Sequence, residues 1–185
     1  MDASVFHRDA SLGNIMIGLD GKGRLNDWDL CRDVNVDKSL EGPRTASDFP
    51  FVCRNVGIHV YLQGTWQFIS TRLLTDPGSR HTITDDLESH YFVLMWTALH
   101  WVKHNQPIGP PINMERIFDQ RWSSPNEIVE GGAGKVLMYG KKSSELKTVE
   151  FSCTPFNKLF WDLWMLFADY LEDRRRATRK GDPGE

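Results

Sequence analysis

The sequence carries no excess of basic charge: 22 Lys and Arg stand against 25 Asp and Glu, for a formal net charge of -3. Bulk electrostatic binding to nucleic acid or to an anionic membrane is thereby excluded as an organising function, and a protein substrate or partner has to be recognised locally. Cysteine is scarce as well. Cys31, Cys53 and Cys153 are odd in number and widely spaced, without a Cys-x-x-Cys pair, which argues against a disulfide framework or zinc site and for reduced thiols. Met1 to Arg8 hold neither the basic nor the apolar region of a secretory signal. The most apolar run, Tyr91 to Val102, falls short of the roughly 20 residues that cross a bilayer, and it contains His100. An intracellular protein, cytoplasmic or nuclear, is the expectation, and no internal repeat argues for a solenoid.

What is present suffices for one domain, since 185 residues with 40% hydrophobic content can bury a sizeable core. Asn14 to Leu19 and Arg24 to Trp28 read as two short strands joined by Asp20-Gly21-Lys22-Gly23, whose glycines supply the positive φ of a tight turn. From Arg32 to Gln63 periodicity is lost, with one short strand expected near Val56 to Leu62. Asp85 with Glu88 forms a capping-box pattern before Leu87 to Val102, apolar on nearly every face and hence a central buried helix. Met114 to Trp122 reads as a short amphipathic helix and Ser124-Pro125-Asn126-Glu127 as another helix start. Gly131-Gly132-Ala133-Gly134, with no strand expected before it, reads as a plain loop rather than a phosphate cradle. Phe156, Leu159, Phe160, Leu163, Trp164, Phe167 and Leu171 recur at spacings of three and four, marking the core face of a helix from about Pro155 to Glu172. Residues 173–185 lack apolar content and read as a disordered tail outside a domain of residues 1–172.

Phosphoryl transfer to a hydroxyl needs a carboxylate to orient and accept the proton, and oxygen ligands for the magnesium that screens the phosphates. His7-Arg8-Asp9-Ala10-Ser11-Leu12-Gly13-Asn14 supplies this by spacing. Asp9 faces the acceptor hydroxyl, Asn14 offers an amide oxygen to the metal, and Asp27 leaves the other strand of the hairpin toward the same ion. His100 and His104, at i and i+4, could pair on a metal, but packing and capping are the expected role. Thr45, Ser47, Ser70, Thr71 and Thr75 are candidate phosphorylation sites.

These motifs resemble the protein kinases, whose catalytic loop reads His-Arg-Asp-x-x-x-x-Asn and is followed by Asp-Phe-Gly, here Asp27-Trp28-Asp29. Gly64-Thr65-Trp66-Gln67-Phe68-Ile69-Ser70 resembles the end of an activation segment, and Asp85-Asp86-Leu87-Glu88-Ser89 the start of the large central helix. Together they look most like fungal-type protein kinases over residues 5 to 105. The resemblance implies a mainly α fold, the C-terminal lobe of a kinase with a small catalytic-loop β-hairpin. It implies ATP and Mg2+ as cofactors, Asp9 as catalytic base, and Asn14 and Asp27 as cofactor and metal ligands. It further implies that His7 packs beneath the loop, that Arg8 pairs with a phosphorylated activation segment, and that Asp86 accepts backbone N–H bonds from the loop.

Three departures accompany the matches. Ser11 stands where kinases acting on serine or threonine carry the lysine that contacts the transferred phosphate. Asp29 replaces a glycine, and Phe68-Ile69-Ser70 replaces the Ala-Pro-Glu anchor, so its glutamate ion pair is expected to be missing. Only six residues precede His7, so the ATP-grasping N-terminal lobe is expected to be absent and the chain inactive alone, with apolar surface exposed where that lobe would sit. A Ser/Thr protein kinase is the first reading. A non-catalytic scaffold derived from a kinase lobe, or a small-molecule phosphotransferase with a metal motif like Asp27-Trp28-Asp29, are the alternatives.

Overall fold

The computed structural model describes residues 5–33, 64–75, 79–106, 114–123, 129–140 and 145–181. Mainly helical, it runs β1 (Val5–Phe6), a 3₁₀ turn at Leu12–Asn14, β2 (Ile15–Ile17), β3 (Gly23–Leu25), β4 (Arg32–Asp33), a 3₁₀ turn at Trp66–Phe68 and α1 (Thr71–Thr75). There follow α2 (Ile83–Trp101), a π-turn at Glu115–Asp119, β5 (Arg121–Ser123), β6 (Val129–Gly131), α3 (Ala133–Met138), a 3₁₀ turn at Glu145–Thr148 and α4 (Thr154–Gly181).

The expected hairpin forms, shorter than its apolar run, with Ile15 opposite Leu25 and Ile17 opposite Gly23. Of its turn glycines only Gly21 takes positive φ, at 73°. A second antiparallel pair, β1 with β4, sets Phe6 opposite Arg32 and fixes both ends of the loop region; two-residue strands carry no periodicity for a sequence reading to detect. The expected strand at Val56 to Leu62 and the helix start at Ser124 to Glu127 lie outside the described residues.

The central helix forms, with a different start. Thr82 is the N-cap and Asp85 the N3 residue of the capping box, its Oδ2 accepting from the Thr82 N–H at 2.7 Å and from its hydroxyl at 2.6 Å. Glu88 is not a cap; it is buried one turn deeper. Phe92 and Met95 are fully shielded, and Tyr91 stacks on Phe167 of α4 at 5.4 Å between ring centroids. Each such aromatic contributes about 1.5–3 kcal/mol by leaving water, and the α2–α4 seam is the spine of the core. Phe160, Trp164, Phe167 and Leu171 form the buried face of α4 as the spacing predicts, while Leu159 stays half exposed.

Three further expectations change. α4 does not end at Glu172: it continues through the polar stretch to Gly181, supported by Arg176 pairing with Glu172 at 3.2 Å and by residues of good helix propensity. Met114 to Trp122 gives a π-turn followed by strand β5. β6 runs into the Gly131 cluster after all, and α3 starts within it. The Gly134 N–H donates to Gln120 Oε1 at 2.7 Å, and a Cβ on Gly134 would stand 1.8 Å from the Arg116 carbonyl oxygen. Gly134→Ala is therefore expected to lower stability by about 1–3 kcal/mol, read as a lower denaturant midpoint at unchanged m-value; a neutral result would mean that α3 can back away from the π-turn.

Candidate functional site

The loop from His7 to Asn14 is held from below by one carboxylate. Asp86 Oδ2 accepts from the His7 N–H at 2.6 Å, and its Oδ1 from the Arg8 N–H at 2.9 Å. His81, to which the sequence assigned no role, brings Nε2 within 2.8 Å of the same Oδ1 and leans on Phe6. Burial pushes the Asp86 carboxyl up, but the bonds from His81, His7 and Arg8 outweigh it and hold it below the ordinary value. This bracing is what the kinase resemblance implies for Asp86.

His7 lies beneath the loop, buried, as expected. Its Nδ1 accepts from the Asp9 N–H at 3.3 Å, so the ring proton sits on Nε2 and donates to the Asn26 carbonyl at 2.8 Å. The ring thus ties the His7–Asn14 loop to the far strand of the hairpin, and Trp28 packs edge-on against it at 4.7 Å. Arg8 and Asp27 both take left-handed backbone, at φ 72° and 60°, a conformation costing about 1–2 kcal/mol for a residue with a Cβ and kept only where its surroundings over-determine it.

Asp9 is where distant parts of the chain converge. Its Oδ1 accepts from the Thr65 N–H at 2.7 Å and from the Thr65 hydroxyl at 2.9 Å, across 56 residues. Asn14 Nδ2 donates to the Asp9 carbonyl at 2.9 Å and to Oδ2 at 3.3 Å. Gly64, at φ 109°, lets the chain come close enough: a Cβ there would meet the Arg8 carbonyl at 2.8 Å.

Asn14 spends Nδ2 on Asp9, and among the described residues its Oδ1 takes no hydrogen bond. The Asn26 N–H donates to the Asn14 carbonyl at 2.8 Å, which sets Asp27, exposed, one residue beyond the partner of Asn14. An amide oxygen and a carboxylate are hard donors that fit a magnesium ion keeping water and phosphate oxygens as its other ligands. Among the described residues no three His, Cys, Asp or Glu side chains gather for a metal. Ser11 is buried, and its carbonyl closes the Leu12–Asn14 turn; no hydrogen bond joins its hydroxyl to Asp9.

Past Thr65 the chain is anchored residue by residue. Ser70 and Arg72 both reach Asp85, the Ser70 hydroxyl at 2.6 Å and the Arg72 guanidinium through Nε at 3.1 Å with a second, shorter contact. The missing Ala-Pro-Glu glutamate is thus replaced by an Arg72–Asp85 ion pair of reversed sense. Burial pushes Asp85 up, and Arg72, Ser70 and Thr82 outweigh it and lower it. Ser70 and Thr71 are buried with their hydroxyls bonded, which removes them as modification sites; Thr75 is exposed, and Thr45 and Ser47 lie outside the described residues.

His100 and His104 do not share a helix face, because α2 stops at Trp101. His100 Nδ1 meets the Trp96 carbonyl at 2.7 Å and stacks on its ring, and His104 Nε2 meets the Leu99 carbonyl at 3.0 Å, so both pack and cap. Cys31 and Cys153 are free and exposed. Among the described residues no helix is long and apolar enough to cross a membrane.

A loop carboxylate oriented by a neighbouring amide and a distant hydroxyl, on a loop braced from a buried helix, is the signature of a protein-kinase type of site. Residues 1–98 match the family model for fungal protein kinase. That is more than half of the 185 residues, and the chain belongs to the fungal protein kinase family. No curated protein matches it.

Proposed function

We propose that the chain forms the large-lobe half of a protein kinase that transfers the γ-phosphoryl group of ATP to serine or threonine hydroxyls of a protein substrate. The observation that carries this reading is the hold on Asp9. Thr65 occupies Oδ1 with two short bonds, while among the described residues Oδ2 has a single long one from Asn14, so there Oδ2 keeps the lone pair that an acceptor hydroxyl needs. Asp9 orients that hydroxyl and takes its proton at Oδ2 as the new P–O bond to the γ-phosphorus forms and the bond from that phosphorus to the β,γ-bridging oxygen breaks, releasing ADP. Magnesium, held by Asn14 Oδ1 and the Asp27 carboxylate, would supply charge screening to the phosphates. The exposed apolar hairpin, with Ile17 and Leu19 open to solvent and Met16 half exposed, suits a surface on which a nucleotide base and a small lobe rest.

The test is transfer of labelled phosphate from ATP to protein by the chain together with any in-frame sequence upstream of Met1, followed by phosphoamino-acid analysis. Phosphoserine or phosphothreonine is the expected product; transfer to small molecules alone would overturn the reading. Asp27→Asn is expected to raise the magnesium concentration for half-maximal rate by at least about tenfold. An unchanged magnesium dependence would take Asp27 out of the metal site.

A further inference from the structure

We propose that Glu88 and Lys135 are positioning residues for this site, a two-sided buried clamp on Ile69–Thr71 that keeps Thr65 on the Asp9 carboxylate. The inference rests on the phosphoryl-transfer reading of Asp9. Lys135, fully buried on α3, donates from Nζ to the Ile69 carbonyl at 2.5 Å and lies 4.1 Å over the Phe92 ring centroid. Glu88, buried on α2, accepts the Thr71 hydroxyl on Oε1 at 2.7 Å and the Thr71 N–H on Oε2 at 3.2 Å. A glutamate and a lysine in the core cost stability that apolar residues of the same volume would not. Burial pushes Glu88 up to about 7 and Lys135 down to about 7, consistent with that cost.

What the clamp holds leads directly to the site. Ile69 N–H donates to the Thr65 carbonyl at 3.2 Å and Phe68 N–H to the same carbonyl at 2.8 Å, so the 3₁₀ turn between them links the clamped residues rigidly to Thr65. Thr65 then gives its N–H and hydroxyl to Asp9. Asp85, gripping Ser70 and Arg72, bears on the same segment from the start of α2, and the charge of Asp119 acts on Lys135 from the π-turn.

The experiment is amide hydrogen exchange on the full chain, comparing the native protein with Glu88→Leu and Lys135→Met. Thr65, Phe68 and Ile69 amides are expected to exchange at least about tenfold faster in both variants, while Phe160 to Phe167 of α4 are unchanged. Where either variant fails to fold, Thr71→Val, which removes only the hydroxyl bonded to Glu88, decides the point with a smaller acceleration in the same direction. In the transfer assay kcat falls while KM for ATP holds, and Glu88→Gln, still able to accept the Thr71 N–H, restores most of the rate. Unchanged exchange at Thr65 overturns the clamp whatever the activity. Faster exchange in the variants, with a native protein that transfers no phosphate, would leave the clamp on Thr65 standing and bring down the phosphoryl-transfer reading instead.

Discussion

Asp9→Asn is expected to lower phosphoryl transfer by about two to four orders of magnitude, the range that loss of a general base commonly produces, while the fold survives. Asparagine has the same shape, and its Oδ1 can keep both bonds from Thr65. Asn14 keeps its 2.9 Å bond to the main-chain carbonyl of residue 9, which the substitution does not touch. What disappears is the negative charge and the proton-accepting Oδ2. Pairing the transfer rate with the denaturant midpoint separates the outcomes. A variant that keeps most of its rate would remove Asp9 from the proton-accepting role. One that loses rate and stability together would make the carboxylate a brace rather than a base.

Asp86→Ala is expected to produce the largest loss of stability, about 3–5 kcal/mol, because it leaves three donors facing an apolar methyl in the core. For a chain of this size that corresponds to a melting temperature lower by roughly 10 °C. The left-handed backbone of Arg8 depends on the same carboxylate, so the loop is expected to relax as well. The native pH profile carries the same signature. Asp85 and Asp86 are both lowered from 3.8, so as pH falls the unfolded chain takes up protons first. Their stabilisation is present above the unfolded-state value near 4 and is lost as pH drops through the lower folded-state values. Asp86→Ala should flatten part of that acid limb. A loss below about 1 kcal/mol would mean that the loop is held chiefly by His7 and the β1–β4 pair.

The catalytic loop was legible because its residues sit close in sequence: His7, Asp9 and Asn14 declare their chemistry by spacing, and Gly64-Thr65 and Asp85-Asp86 follow in order. Asp86 could be assigned its brace from resemblance before any distance was known. Glu88 satisfies the pattern of a capping box, a glutamate three residues after an aspartate, and only tertiary packing reveals that Thr82 takes the cap and Glu88 goes inward. Lys135 follows a glycine-rich run, the ordinary setting of a solvated lysine; its complete burial depends on Phe92 and Ile69, 43 and 66 residues away in sequence. His81 gave no signal because a histidine that bonds a carboxylate already engaged by two amides has no local motif. The helical extension past Glu172 was missed because composition measures core content, whereas ion pairs one turn apart sustain a helix without any core.

The bond from His7 to Asp86 spans 79 residues, and that span has a temporal meaning during synthesis. At typical translation rates, about 4 to 16 s separate the emergence of His7 from that of Asp86, so the loop is made well before the helix that sets it. Through that interval the apolar hairpin with Ile17 and Leu19 is already present, while the helix that fixes the loop beside it is not. Substitutions that slow the docking of α2 would therefore prolong the exposure of a nascent apolar hairpin, and their first visible effect would be a lower yield of folded chain rather than a weaker enzyme.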